Sequence, residues 1–110
     1  MNKYEELARK YKSEGNLCSD ALYKAFKEDL NLNEEPPKPR SIDGKCGTVL
    51  TTEFILKKIG KEKYYKEYED LFLKEFGYLT CIELMQHEKR CNDYVGFSAK
   101  KISEYMNKEL

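Results

Sequence analysis

The residues best suited to chemistry in this chain are its four cysteines, Cys18, Cys46, Cys81 and Cys91. Each falls where the residue pattern predicts that an amphipathic helix begins. A thiol in the first turn of a helix lies near the positive end of the helix dipole. That position favours the thiolate, which is the nucleophilic and metal-binding form of cysteine. Four such thiols in one small chain indicate a shared redox or metal site rather than unrelated core residues.

Cys46 has the strongest local case for reactivity, because Lys45 precedes it and Gly44 and Gly47 flank it. Glycine in a helix interior costs about 0.8–1.0 kcal/mol relative to alanine, so two glycines here indicate a need for free amides near the sulfur. The alternative is a plain helix start, since glycine is also acceptable as an N-cap. We therefore expect Gly44 and Gly47 to support Cys46 through their backbone.

Two kinds of chemistry suit these thiols. In the first, Cys46 is the reactive thiol of a redox protein, and Cys18, Cys81 and Cys91 act as its resolving partners. Such a protein works by thiolate attack and disulfide exchange with a redox partner or small thiol. In the second, all four thiolates coordinate a metal, either zinc or an iron–sulfur cluster. Cys18 and Cys91 also head apolar stripes, where a cysteine can be a simple core residue.

The sequence offers no second catalytic arrangement. His87 is the only histidine, and its neighbours are all polar, so we assign it no ligand role. The cysteine spacing does not match the paired C-x₂-C pattern of common zinc sites. There is no phosphate-binding glycine loop, no HExxH motif and no dinucleotide fingerprint. Whether the chain is an enzyme stays open at this point.

Composition narrows the class of protein and of partner. A length of 110 residues predicts one domain. The twenty basic and twenty acidic residues are interleaved along the chain. Nucleic-acid binding needs an uncompensated positive patch, so we expect no nucleic-acid partner. The first residues lack the apolar core of a secretory signal, and no stretch is long enough for membrane insertion. A cytoplasmic location is the expectation, and there thiols are kept reduced and four cysteines favour redox or metal roles over structural disulfides.

The apolar periodicity is helical almost throughout, and it predicts an all-α fold. We expect residues 1–110 to form a single compact bundle of five to six helices, with a proline-rich linker at about 31–42. Glycines 15, 60 and 77 mark helix ends, and the third helix should be the most buried. The first predicted helix runs from about Lys3 to Lys12 and is capped by Asn2, the second is capped by Asn16, and the third is opened by Ser41 or Asp43. The fourth runs from about Lys61 to Phe76. In the fifth, Thr80 and Glu83 form a capping box and the helix ends near His87 to Lys89, and the last helix starts at Cys91.

The order and context of the four cysteines resemble a family of bacterial redox-active proteins, the C_GCAxxG_C_C family. The residues that carry the resemblance are the segments Glu14–Leu22, Cys46–Thr51, Phe76–Cys81 and Cys91–Val95. The resemblance implies a small helical protein with a thiol-based redox or metal-linked role. It implies no particular substrate.

The chain departs from this family at two positions of the central motif, which is similar to Cys-Gly-Ala-x-x-Gly. Thr48 stands in place of the alanine and Thr51 in place of the last glycine. If a ligand of the family must approach the backbone closely at that glycine, the Thr51 side chain would weaken the binding of that ligand. These departures favour a third hypothesis, a non-enzymatic interaction module that keeps the fold without the chemistry. Exposed Tyr and Phe side chains could also form the seam of a homodimer.

Overall fold

The fold is an all-α bundle, as the sequence predicts. We describe it from a computed structural model, which covers residues 3–38, 40–87 and 91–107. Within these segments the only β pairing is one isolated antiparallel bridge between Lys45 and Thr80. No helix in them is both long and apolar enough to cross a membrane. The elements are α1 (Lys3–Ser13), α2 (Cys18–Leu30), α3 (Gly47–Lys58), a 3₁₀ turn (Glu62–Tyr64), α4 (Tyr65–Phe76), α5 (Cys81–His87) and α6 (Cys91–Met106).

Glycines in the left-handed region follow several helices where the sequence predicts an end. Gly15 (φ 101°), Gly60 (φ 73°) and Gly77 (φ 89°) follow α1, α3 and α4 respectively. The Gly77 amide donates to the carbonyl of Leu73 at 2.7 Å, which satisfies one of the last carbonyls of α4. These three helix ends are confirmed.

The third helix starts later than predicted. Neither Ser41 nor Asp43 opens it, and α3 begins at Gly47. Arg40, Asp43 and Gly44 all have positive φ values, of 67°, 54° and 69°, and a right-handed helix cannot pass through such residues. The non-helical linker therefore continues past residue 42 as far as the bridge at Lys45. The prediction that this helix is the most buried is confirmed, since eight of its twelve residues are buried.

Three further boundaries differ from the predictions or lie outside the described residues. Leu17, not Asn16, is the N-cap of α2; the Asn16 side chain donates to the Tyr11 carbonyl instead, at 2.8 Å. The fourth segment begins as a 3₁₀ turn, and α4 proper starts at Tyr65. The proposed Asn2 cap and residues 88–90 lie outside the described residues, and α5 is described as far as His87.

Two apolar clusters form the core, and α6 contributes to both. One packs α1 and α2 against the Val95, Ala99 and Ile102 side of α6. The other packs α3 and α4 against Tyr94 and Tyr105 of the same helix. Since α6 touches both clusters, its first residue, Cys91, is fixed relative to the starts of α2 and α3.

Candidate functional site

All four cysteines lie at helix starts. Cys18, Cys81 and Cys91 are the first residues of α2, α5 and α6, and Cys46 is the N-cap immediately before α3. Each helix begins in a different part of the chain, yet the folded bundle brings the four starts to one place. The prediction about helix position is therefore confirmed.

The four cysteines line a single cavity of about 320 Å³, which we call the four-cysteine cavity. Its mouth is formed by exposed side chains, including Leu17, which is 60% exposed, and Met85, which is 49% exposed. Its inner wall includes the buried residues Cys46, Leu84 and Tyr94. All four cysteines are free thiols. The structure thus gathers thiols from positions 18 to 91 around one solvent-accessible space.

A short backbone clamp places Cys46 beside Cys81. The Cys46 amide donates to the carbonyl of Leu79 at 2.8 Å, and the Cys81 amide donates to the carbonyl of Gly44 at 3.0 Å. Gly44 adopts φ 69°, a conformation that costs other residues free energy, so the glycine suits this turn. The clamp explains why Gly44 accompanies Cys46, although the carbonyl and not the amide of Gly44 is used.

At the start of α5, the helix that carries Cys81, one of the two hydrogen bonds of the predicted capping box is formed and the reciprocal bond is replaced by another. The Glu83 amide donates to the Thr80 hydroxyl at 3.4 Å, as expected of the box. The Glu83 carboxylate, however, accepts from the Thr80 hydroxyl at 2.7 Å rather than from the Thr80 amide. The cap still fixes the first turn of α5, and with it the position of Cys81.

Cys18, the first residue of α2, interacts with Cys91, the first residue of α6. Burial, and after it repulsion by Cys91 and hydrogen bonding with Cys91, together raise the pKa of the Cys18 thiol to about 12, although Thr48 opposes the rise. Cys18 therefore keeps its proton at neutral pH. A protonated Cys18 is a hydrogen-bond donor for the sulfur of Cys91, which is partly exposed at the start of α6.

Cys46 is the most buried of the four thiols, with 5% of its surface exposed. Burial raises its pKa, and the amide and hydroxyl of Thr48 lower it through hydrogen bonding. The Thr48 hydroxyl is fully buried, and it has no hydrogen bond of ordinary geometry in the described segments. It nevertheless lies close enough to lower the pKa of Cys18 as well. Thr48 is thus a hydroxyl donor within reach of two sulfurs.

The Lys45 ammonium group is directed to two carboxylates rather than to the Cys46 thiol. This group lies 2.9 Å from Glu69 and 3.9 Å from Glu53, so it is held by two carboxylates and does not line the cavity. The hydrogen bond to Glu69 raises the pKa of Lys45 despite partial burial. Sequence adjacency to Cys46 was therefore a poor guide, because successive residues entering a helix point in different directions.

The cavity contains functional residues that the sequence analysis missed. Met85 contributes a fifth sulfur: the Cys81 thiol donates to it at 3.8 Å, and the Arg40 guanidinium contacts it at 3.4 Å. Met85 is four residues after Cys81 on α5, so helical spacing could have placed both on one face. Lys12 and Arg40 also line the cavity, and no local pattern marks either of them.

The arrangement of donors in the cavity is not that of a ready metal site. In the part of the chain that the structure describes, no three His, Cys, Asp or Glu side chains are placed so that they could hold one ion. The side chain of His87 lies outside the described residues. Coordination by all four cysteines would therefore require their side chains to turn toward a common point.

Comparisons with known proteins give no functional assignment for this chain, so its function has to be inferred from the site. No protein-family model matches the chain, and neither a curated protein nor a solved structure matches it.

Proposed function

We propose that the protein exchanges disulfides through the thiols of the four-cysteine cavity. The observation that supports this function is the convergence of Cys18, Cys46, Cys81 and Cys91 on one cavity, where Cys91 lies near enough to raise the pKa of Cys18. Two thiols in contact can be oxidised to a disulfide and reduced again without a metal or another cofactor. Membership of the C_GCAxxG_C_C family and a cytoplasmic location are part of the same proposal.

In the proposed cycle, Cys91 is the attacking thiol. Its partial exposure allows contact with an incoming disulfide, and the Cys18 S–H can donate to its sulfur as negative charge develops there. The Cys91 thiolate attacks one sulfur of the disulfide, the S–S bond breaks, and a thiolate leaves and takes up a proton. The product is a mixed disulfide between Cys91 and half of the substrate.

Cys18 then completes the exchange. It loses its proton and attacks the Cys91 sulfur, so that a Cys18–Cys91 disulfide forms and the second half of the substrate leaves as a thiol. The two cysteines give up two electrons and two protons, and the substrate disulfide becomes two thiols. A reducing dithiol returns the protein to its starting state by the reverse steps. The high pKa of Cys18 makes this second step the slower one.

Cys46 and Cys81 form the second pair in this proposal, because the backbone clamp holds their segments together. The sequence analysis expected Cys46 to be the most reactive thiol, and that expectation remains a prediction. Its burial and raised pKa favour a resolving role, in which Cys46 attacks a mixed disulfide formed on the more exposed Cys81, so that a Cys46–Cys81 disulfide forms and the second half of the substrate leaves as a thiol.

Disulfide mapping after exposure to a neutral disulfide tests this function. We expect hydroxyethyl disulfide to oxidise the reduced protein with loss of two thiols for each disulfide consumed, and peptide mass analysis to find Cys18 joined to Cys91. Cys18→Ser should stop the reaction at a mixed disulfide on Cys91. Cys46→Ser is the matched control, since it removes a cavity thiol from the other pair and should leave the Cys18–Cys91 disulfide intact. Four free thiols after incubation would overturn the proposal.

Binding of a soft metal is the second candidate, because four thiols and the Met85 thioether line one space. Thiolate and thioether ligands select zinc, Cu(I) or iron–sulfur clusters. Anaerobic purification followed by metal analysis and a visible spectrum tests it. A colourless, metal-free protein with four titratable thiols would exclude this candidate and leave disulfide exchange in place.

The interaction-module hypothesis predicts a different result. If the chain is a binding module or a homodimer without redox chemistry, Cys46→Ser should leave partner binding or self-association unchanged. Sedimentation of the reduced protein with and without this substitution measures the self-association directly. If Cys46→Ser abolished both self-association and thiol chemistry, the result would contradict the interaction-module hypothesis.

A further inference from the structure

We infer that the four-cysteine cavity selects small disulfides that carry a negative charge, and that Lys12 and Arg40 hold that charge. The inference rests on the proposed exchange function and names its substrate class: a low-molecular-weight disulfide with a carboxylate or a similar anionic group.

The charge of the cavity lining is the first reason. Among the described residues, Lys12 and Arg40 are the two charged side chains that line it, and none of these lining residues is an aspartate or glutamate. In the described segments neither cation forms an ion pair with a carboxylate, whereas other cations such as Arg9, Lys45 and Lys58 do. In a chain with equal numbers of acidic and basic residues, two uncompensated cations beside four thiols form a local positive site.

The N-termini of the helices that begin at the cavity add to its positive electrostatic potential. Three of the helices that begin at the cavity, α2, α3 and α6, have 13, 12 and 16 residues, so each directs the positive end of a substantial dipole toward it. The amide of Cys46, however, is already bonded to Leu79, and that of Cys81 to Gly44. These two amides are not available to a ligand, whereas the Lys12 and Arg40 side chains line the cavity and can contact an anion directly.

Size and polarity restrict the rest of the substrate. A cavity of about 320 Å³ lies at the lower end of the range for small-molecule sites, and it suits a compact molecule rather than a protein surface. Leu17, Leu84 and Tyr94 provide apolar walls for methylene groups next to the disulfide. Arg40 rests against the Met85 sulfur at 3.4 Å, which keeps its guanidinium group at the mouth, where the charged end of such a molecule would lie.

The chemical step is the one proposed above, with the substrate now specified. Cys91 attacks the disulfide sulfur, an anionic thiolate leaves, and Cys18 releases the second anionic thiol as the protein disulfide forms. Because the leaving thiolate adds a second negative charge close to the first, Lys12 and Arg40 would stabilise the transition state more than the bound disulfide.

The experiment compares three disulfides of similar size and different charge: dithiodipropionate, hydroxyethyl disulfide and cystamine. Each rate with the reduced protein is divided by the rate with dithiothreitol, which removes intrinsic reactivity. We expect the corrected rate to be highest for the anion and lowest for the cation, and the advantage of the anion to decline as salt is added. Lys12→Gln and Arg40→Gln should each slow the anionic substrate by up to about fivefold and slow the neutral one less, since the neutral disulfide carries only the charge of its leaving thiolate.

Lys57→Gln is the matched control, because Lys57 is an exposed cation on α3 that does not line the cavity. It should leave all three rates unchanged. Equal corrected rates for the three disulfides, with exchange still occurring, would overturn the charge selection and spare the exchange function. Absence of exchange with every disulfide would overturn both.

Discussion

Cys46 and Leu79 are joined by a backbone hydrogen bond of 2.8 Å, and this bond with its partner from Cys81 to Gly44 links two loops that each lead into a cysteine of the cavity. Residues 45 and 80 are far apart in the chain, so the bridge is a long-range constraint. It fixes the N-cap of α3 against the first residue of α5. The second thiol pair of the cavity therefore depends on two amides and two carbonyls as well as on the apolar cluster that contains Cys46 and Leu84.

Substitution of Gly44 by alanine tests this clamp. At φ 69° an alanine is strained by about 1 kcal/mol, so we expect the free energy of unfolding to fall by about that amount. If the loop relaxes to relieve the strain, the bond from Cys81 to Gly44 lengthens and Cys81 should react faster with iodoacetamide. Chemical denaturation and alkylation rates followed by peptide mass measure the two effects.

Gly60→Ala is the matched control for the clamp. Gly60 has a similar φ of 73° and, like Gly44, has open space where a Cβ would be placed. It lies at the end of α3, away from the bridge. It should destabilise the protein to a similar degree without changing Cys81 alkylation. An equal effect of both substitutions on Cys81 would show that the clamp does not control this thiol.

The Thr48 hydroxyl provides a second prediction. Burial raises the pKa of both Cys18 and Cys46, and hydrogen bonding to Thr48 partly offsets it. Thr48→Val removes the donor and keeps the shape. We expect the pKa of both thiols to rise by up to about one pH unit, because one such hydrogen bond contributes about 1 kcal/mol. The pH dependence of alkylation at each cysteine measures the change.

Thr51→Val provides the comparison for Thr48. Thr51 is also fully buried on α3, and its hydroxyl has no hydrogen bond in the described segments, but the groups that most affect the pKa of Cys18 and Cys46 include Thr48 and not Thr51. Thiol reactivity should not change in this variant, and its stability should be equal or slightly higher. Slower alkylation in both variants would point to a general packing effect instead of a hydrogen bond from Thr48.

Most of the helical framework could be predicted from the sequence, because it depends on local signals. Apolar periodicity and the glycines at positions 15, 60 and 77 mark where helices run and end, and the capping-box pattern of Thr80 and Glu83 predicts Cys81 as the first residue of its helix. The late start of α3 could not be predicted in this way. It results from positive φ values at Arg40 and Asp43, which non-glycine residues adopt only when a tertiary contact such as the bridge at Lys45 favours them.

The composition of the cavity was predictable only in part. Helix starts identify the four thiols, yet their pairing depends on how α2 and α6 cross, and no local pattern encodes that crossing. Lys12 lies at the end of α1 and Arg40 in the linker, so their approach to the thiols is a purely tertiary result. The same holds for Lys45, which chain proximity assigned to Cys46 and which the fold directs to Glu69.

Glu53 gives the protein a pH-dependent stability. Burial, a hydrogen bond with Glu69 and repulsion by Glu69 raise its pKa from 4.5 to about 7, although Lys45 opposes the rise. Between these two values the folded state holds a proton that the unfolded state has released. Stability should therefore decrease as the pH increases from about 4.5 to about 7, and should not recover above that range.

Glu53→Gln should remove this dependence. The amide keeps a hydrogen-bonding group beside Glu69 without the charge, so we expect equal stability near pH 4.5 and a gain of about 1 kcal/mol at pH 8, where solvent screening limits the effect. Urea denaturation at the two pH values measures it. Glu75→Gln, at an exposed position on α4, should leave the pH profile unchanged. A profile with the same slope in the Glu53 variant would contradict the prediction.

Arg9 and Gly96 provide a polar contact between α1 and the first turns of α6, beside the apolar cluster that the two helices share. The Arg9 guanidinium donates to the Asn92 side chain at 2.9 Å and to Asp93 at 3.1 Å, both in the first turn of α6. The Asn92 amide group returns a bond to the Arg9 carbonyl at 3.2 Å. Gly96 leaves room for this guanidinium, because a Cβ there would lie 2.4 Å from it.

Gly96→Ala should therefore destabilise the protein by about 1–3 kcal/mol, the usual cost of overpacking, since the ion pair and hydrogen bonds prevent Arg9 from moving aside freely. In an Arg9→Ala background the same substitution should cost much less, and the difference between the two costs measures the coupling. Lys100→Ala, an exposed change on α6, should have little effect in either background. Because displacement of Arg9 releases the first turn of α6, Gly96→Ala should also slow formation of the Cys18–Cys91 disulfide. Unchanged disulfide formation in a measurably destabilised variant would separate the packing role of Gly96 from the position of Cys91.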